Sequence, residues 1–224
     1  MSSEKMEIDY AAYIGEYMER ARKAQAIINT YTQEQVDRLC SVIAYEMTRP
    51  EMEAELATLA LEETELGDYD SKVAKIEKKV KGMFMEIKHE KTVGIVEEIP
   101  ERGMRRIKKP VGVIGSLIPS TQPEMIPITT AMCTVKSRNA VIMAPHPRGK
   151  KTTYQTVEKM RELLRKNGAP ADILQCVDLV KVAVTNELMR QADLVIATGG
   201  AGMVKAAYSS GTPAYGVGAG NAIM

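Results

Sequence analysis

The stretch ATGGAGMVKAAYSSGTPAYGVGAGN, residues 197–221, decides how this chain is read. Residues 193–198 lead into it as a short apolar run ending at Thr198, and Gly199, Gly200 and Gly202 follow at once. A strand that turns through glycine into a helix (201–209) and returns as a second apolar strand (214–217) is one unit of a parallel sheet. Glycines at such a tip let an anionic pyrophosphate approach the backbone at a helix N-terminus. A plain tight turn uses the same glycines, so the motif alone leaves both readings open.

The same grammar runs backwards from there. Residues 111–118, 139–144 and 173–177 are apolar runs of strand length, while 123–137 and 151–167 read as helices, with a short helix over 186–191. Gly168 and Pro170 close the second of these helices. Strand-to-strand spacings of roughly 20–35 residues are those of β–α–β units covered on both faces. The expected fold class is α/β: a Rossmann-like parallel sheet with helices on both faces, preceded by an N-terminal helical segment and a β-hairpin arm. The expected boundaries are 1–90 for the helical segment, 91–109 for the arm and 110–224 for the dinucleotide-binding α/β region.

Helical periodicity governs the first part. Tyr10, Ile14, Tyr17, Ala21, Ala24 and Ile28 step by fours and threes along one face. Thr32 with Gln35 offers a capping box for a helix carrying Val36, Leu39, Ile43 and Met47. Pro50 suits the first turn of a third helix ending near Gly67, and Ser71 is expected to start a fourth, with Val73, Ile76, Val80 and Ile87 inward. Residues 93–99 and 104–109 then flank the turn Pro100-Glu101-Arg102-Gly103 as a hairpin. A charged two-stranded arm rarely stands alone in water, so it is expected to pack on another domain or a neighbouring subunit.

Composition narrows the classes. Lys+Arg 30 against Asp+Glu 29 gives no net field for nucleic acid or anionic membrane, and the cluster Arg105, Arg106, Lys108, Lys109 reads as the solvated face of a strand. With no Trp and one Phe, base stacking is not the design. Cys40, Cys133 and Cys176 are distant and odd in number, which gives neither a disulfide framework nor a zinc site and fits a reducing, cytoplasmic setting. No signal peptide and no membrane-length apolar run is read. Cys133 sits at helical spacing from Ile128 and Ala131, without a nearby base, and is expected to be a core thiol.

Two further places draw attention. Ile118-Pro119-Ser120-Thr121-Gln122-Pro123 stands after the first strand, where a glycine fingerprint is usual; Pro123 would start a helix, with Ser120 and Thr121 before it. His146, held between Pro145 and Pro147, lies just past a strand's carboxyl end, where ligands of open α/β sheets bind. An ordinary cap and an ordinary loop histidine are the plainer readings.

Together PVGVIGSLIPSTQPEM, KSRNAVIMAPHPRGKKT, DLVIATGGAGMVKAAYSSGTPAYGVGAGN and the earlier ETELGDYDSKVAKI resemble the CoA-acylating aldehyde dehydrogenases, relatives of the acetaldehyde and succinate-semialdehyde enzymes. The resemblance covers essentially the whole chain. It implies the cofactor-binding portion of an enzyme that oxidises an aldehyde to acyl-CoA with NAD or NADP, NAD being favoured, and CoA as co-substrate. The expected partners are a small aldehyde, CoA and further copies of the chain. The nucleophilic cysteine is expected beyond the point where this sequence stops, leaving this chain alone inactive. A binding-only or oligomerisation fragment, and a family member acting on an acyl phosphate, are the alternatives.

Residue by residue, the resemblance puts Ile118, Pro119, Ser120 and Thr121 on the cofactor and aldehyde side of a cleft. Gln122 falls where the family usually has an oxyanion-stabilising Asn; its amide donates the same hydrogen bond from one methylene further out. Pro145, His146 and Pro147 would border the adenosine, and Thr198, Gly199, Gly200 and Met203 the pyrophosphate and nicotinamide. No acidic residue matches a ribose clamp. Gly216 and Gly218, also assigned to the cofactor side, stand with Val217 where hydrolytic relatives carry Glu-Leu-Gly. A glycine there takes no proton, which suits an enzyme whose thioester must wait for CoA, although a strand end also uses glycine for its conformational freedom.

Overall fold

The computed structural model describes residues 8–218 and residue 220; the end of the opening motif, residues 219 and 221, lies outside them. Local signals set the first four helices. Asp9 caps α1 (Tyr10–Ile28) by accepting from Ala11 and Ala12 amides. Thr32 and Gln35 form the expected capping box on α2 (Gln33–Met47). Pro50 opens α3 (Pro50–Thr64), which stops where Glu65 turns left-handed, before Gly67. In α4 (Tyr69–Ile87) Ser71 is not the start: Asp68 is the cap, its carboxylate accepting from the Ser71 amide. Ile14, Met18, Ala21, Ala24 and Ile28 form the buried face of α1. Tyr10 and Tyr17 stay half-buried at its rim.

The hairpin forms as read, with β1 (Gly94–Ile99) antiparallel to β2 (Met104–Lys108) and a bulge between Ile95 and Glu97. Its basic residues are solvated: Arg106 pairs with Glu97 at 2.7 Å and Arg105 with Glu98 at 3.1 Å. Such exposed pairs contribute at most about 1 kcal/mol each.

Beyond Pro110 come β3 (Val113–Ile118), α5 (Ile126–Lys136), β4 (Ala140–Pro145), α6 (Lys150–Lys166), β5 (Leu174–Cys176), α7 (Val182–Gln191), β6 (Leu194–Thr198), α8 (Ala201–Tyr208) and β7 (Ala214–Val217). The five strands pair in parallel in the order β5-β4-β3-β6-β7. The chain therefore builds outward from β3 on one side, then crosses back and builds outward on the other, which leaves a topological switch between β3 and β6. Every residue of β3 and β4 is buried, the unbroken apolar pattern of strands covered on both faces. Helix α1 packs with α7 and against β3 and β4, while α2, α3 and α4 lie against α5 and α6. Buried side chains of the N-terminal helices and of the sheet form one continuous core.

At the amino-terminal end of β3, Gly112 has φ +126°, and a Cβ on it would stand 2.2 Å from Asp193 Oδ2. That carboxylate accepts from the Val113 amide at 2.7 Å and pairs with Arg22 at 3.0 Å, fixing where β3 starts. Two helix starts differ from expectation. The helix α5 begins at Ile126, with Pro127 rather than Pro123 in its first turn, so Ser120 and Thr121 do not cap it. Residues before it form turns, and Glu124 within them is fully buried against Lys72 of α4 at 3.3 Å. The helix α7 begins at Val182, four residues earlier than the apolar periodicity indicates; Val182 is 77% exposed, and Val184 is the one fully buried residue of its first turn.

Candidate functional site

Register brings the strand tips to one edge. Ile118 stands opposite Pro145, Leu117 opposite Ala197, and Thr198 opposite Val217. Past the tips, the His146 amide donates to the Ile118 carbonyl and the Gly199 amide to the Val217 carbonyl, both at 3.0 Å. These bonds prolong the sheet by one step and aim the following loops the same way.

A cleft of about 300 Å³ opens at this edge beside the switch point, the low end of the size range of small-molecule sites. Leu117 and Ala144 form its floor, and Pro145, His146 and Pro147 form one wall. Lys181, Thr185, Asn186 and Met189 come from the loop after β5 and from α7, and Met203 and Ala206 from α8. Among the described residues no carboxylate and no cysteine lines it. His146 has a structural role as well, since its Nδ1 accepts from the Arg148 amide at 3.1 Å and caps the short turn Pro147–Gly149. A neutral ring then carries its hydrogen on Nε2, the nitrogen left to meet a ligand.

Of the residues singled out in the sequence, Pro145, His146, Pro147 and Met203 meet in this cleft. Ile118 is buried at the β3 tip, and Pro119, Ser120, Thr121 and Gln122 form the turn after it, outside the cleft lining. Gln122 is half-buried, and its carbonyl accepts from the Ile126 amide at 3.2 Å. Thr198 ends β6. Gly200 takes the N-cap position of α8 in ordinary extended geometry (φ −68°, ψ 161°), with no side-chain cap on the helix. Met203 and Val204 amides both donate to the Gly200 carbonyl, so Ala201 and Gly202 contribute the first-turn amides without an acceptor inside the helix. Open space surrounds Gly200, whereas Met203 Sδ lies 3.1 Å from where a Cβ on Gly199 would be. Thr198, Gly199 and Gly200 are not in the cleft lining, but Gly200 leaves backbone bare at the start of the helix that supplies Met203 and Ala206 to it, as close approach of an anionic group requires.

Gly216 sits in the middle of the β7 pairing, opposite Ala197, with its amide donating to the Tyr208 hydroxyl at 3.0 Å. Its backbone is not in the left-handed region, so conformational freedom is not what glycine supplies there. Space is: a Cβ would stand 2.5 Å from Val204 Cγ1. Gly218 is free of that crowding, with Val204 Cγ2 at 3.8 Å.

The expectation for Cys133 fails. It is exposed, because the buried face of α5 runs through Ile128, Ala131, Met132 and Val135, and Cys133 points away from it. Its Sγ rests 3.8 Å from Met83 Sδ, and crowding there still holds the thiol above its ordinary value. Cys40 and Cys176 are buried, and burial pushes Cys40 up to about 12 and Cys176 upward too. Among the described residues no cluster of three metal-ligating side chains occurs, and no helix is long and apolar enough to cross a membrane.

Lys181, Thr185, Asn186 and Met189 were not anticipated. They lie in a segment without glycine or motif, and only the crossover from β5 to β6 brings them to the tip of β4.

Comparison with known proteins bears on family and fold. Residues 5–214 match the model of the aldehyde dehydrogenase family. The chain is 46% identical over 208 residues to the sulfoacetaldehyde dehydrogenase of an Acholeplasma species, covering 93% of this chain and 43% of that protein. It is 48% identical over 209 residues to the succinate-semialdehyde dehydrogenase (acetylating) of Clostridium kluyveri, covering 93% and 46%. Among solved structures it superposes on an acetylating aldehyde dehydrogenase from Geobacillus thermoglucosidasius with a TM-score of 0.92 and 38% identity, covering 98% of this chain and 48% of that one. The chain spans less than half the length of these relatives. A family match over nearly all its residues, carried by the same parallel sheet, means that the chain belongs to the aldehyde dehydrogenase family.

Proposed function

We propose that this chain is the cofactor-binding portion of a CoA-acylating aldehyde dehydrogenase. The observation that carries the reading is the cleft at the switch point, where Pro145, His146 and Pro147 face Met203 beside bare glycine backbone at the start of α8. An adenosine fits its apolar walls, and the amides of Ala201 and Gly202 suit a pyrophosphate. A bound nicotinamide dinucleotide supplies the hydride acceptor. The chain's part is then to seat the adenosine, neutralise the pyrophosphate and leave the far end at the tips of β3 and β6, near the turn carrying Gln122.

The acylating outcome is supported by the names of the relatives and by Gly216, which offers no carboxylate to activate water. Sulfoacetaldehyde and succinate semialdehyde are the first substrates to try with CoA as acyl acceptor. Exposed Ile95, Met104 and Ile107 on the hairpin support assembly with further copies, and three unpaired thiols support a cytoplasmic setting. Calorimetric titration of the chain with NADH and NADPH tests the reading: saturable one-site binding is expected, and no detectable binding of either would overturn it.

A further inference from the structure

We propose that Lys181 selects adenosine ligands bearing a phosphate on the ribose, as NADP and CoA do; this rests on the dinucleotide reading of the cleft. The walls are apolar, and among the described residues Lys181 brings the one ammonium of the lining. Among the described residues no carboxylate is there to receive two free ribose hydroxyls, as a site built for an unphosphorylated ribose would have.

Among the described residues the ammonium also has no counter-ion. Its nearby groups are the Tyr10 hydroxyl at 3.5 Å and the Tyr10 ring, whose centroid is 5.8 Å away. Among the described residues no ion pair involves it. The acid closest in sequence, Asp178, is already engaged, since the hydroxyls of Tyr13 and Tyr17 both donate to its Oδ1. Those contacts also fix the loop. The Leu179 amide donates to the Tyr13 hydroxyl at 3.1 Å, and the Thr185 amide to the Lys181 carbonyl at 3.1 Å. A lysine on an anchored backbone, at the mouth of an apolar slot and short of an anion, matches a phosphate as a point charge.

Two sources share this chemistry, the 2′-phosphate of NADP and the 3′-phosphate of CoA, and paired ligands separate them. Affinities of NADP against NAD, and of CoA against 3′-dephospho-CoA, are measured by calorimetry for wild type, Lys181→Gln and Lys181→Arg. The wild type is expected to favour the phosphorylated member of at least one pair by about tenfold or more. Lys181→Gln brings that ratio to about one, and Lys181→Arg keeps most of it. The pair that shows the preference identifies the phosphate. A wild type without preference in either pair overturns the proposal, and so does a preference that survives in Lys181→Gln. Absence of binding by all four ligands overturns the dinucleotide reading beneath it. Lys181 is exposed, so a melting temperature close to wild type confirms that each variant is folded.

Discussion

Val204 Cγ1 stands 2.5 Å from the place that a Cβ on Gly216 would occupy, and the Tyr208 ring comes within 2.9 Å of the same point. Real Cβ atoms do not tolerate such distances, so helix α8 lies on strand β7 at a spacing that only glycine permits. Gly216 is thus a packing residue in this fold.

Gly216→Ala is therefore expected to destabilise the chain by about 1–3 kcal/mol through overpacking. Shaving the neighbour in Gly216→Ala/Val204→Ala should recover part of that loss in urea titrations. Gly216→Ala unfolding at the wild-type midpoint would show that α8 sits further from β7. A carboxylate introduced at this position probes the choice between CoA and water only in a background that remains folded.

The buried pair Lys72–Glu124 ties α4 to the turn between β3 and α5, and among the described residues Glu124 Oε2 has no hydrogen-bond partner. Lys72→Met strands the carboxylate and should cost about 3–5 kcal/mol. The pH dependence has a definite sign. Burial holds the Glu124 carboxyl above its ordinary range, and the attraction of Lys72 only partly offsets it. The folded state then takes up a proton before the unfolded chain does. Wild type should gain stability relative to Glu124→Gln as the pH falls from about neutral, levelling off below the unfolded value of about 4.3. A difference between the two proteins that does not change with pH would mean that Glu124 is not perturbed.

Thiol accessibility gives a third check. One thiol per native chain, that of Cys133, should react with a thiol reagent, slowly because its proton is held tightly, and Cys133→Ser should abolish the reaction. No thiol lines the cleft, so the chain mixed with aldehyde, CoA and NAD should form no NADH. Turnover lost in Cys133→Ser would make that residue a nucleophile and reverse the assignment.

Much of the fold was legible because its signals are local. The Thr32–Gln35 box, Pro50 and the apolar runs of β3, β4 and β6 each act within a few residues, and each element formed where they indicated. Boundaries moved where a stronger neighbour competed. Asp68 outdid Ser71 as a cap, and buried Glu124 held residues 123–125 in turns, delaying α5. Cys133 was misread because five residues from Ile128 amounts to about 140° around a helix, away from the buried face. The cleft was half legible. Pro145, His146, Pro147 and Met203 stand at strand ends and after glycines, whereas Lys181 and Asn186 reach the cleft only through tertiary crossover, which leaves no pattern in the chain.

The central claim is that a dinucleotide lies along the glycine turn into α8, and Gly200 tests it directly. Its backbone angles accept any residue, and nothing lies within 4 Å of a Cβ built there. Gly200→Val should therefore cost the fold only about 1 kcal/mol or less, from weaker capping. Calorimetry with NADH and NADPH on wild type and this variant is the decisive measurement. The account predicts binding by the wild type and at least about a tenfold loss in Gly200→Val, a difference of about 1.4 kcal/mol. Equal affinity in two folded proteins would contradict it and place the ligand elsewhere.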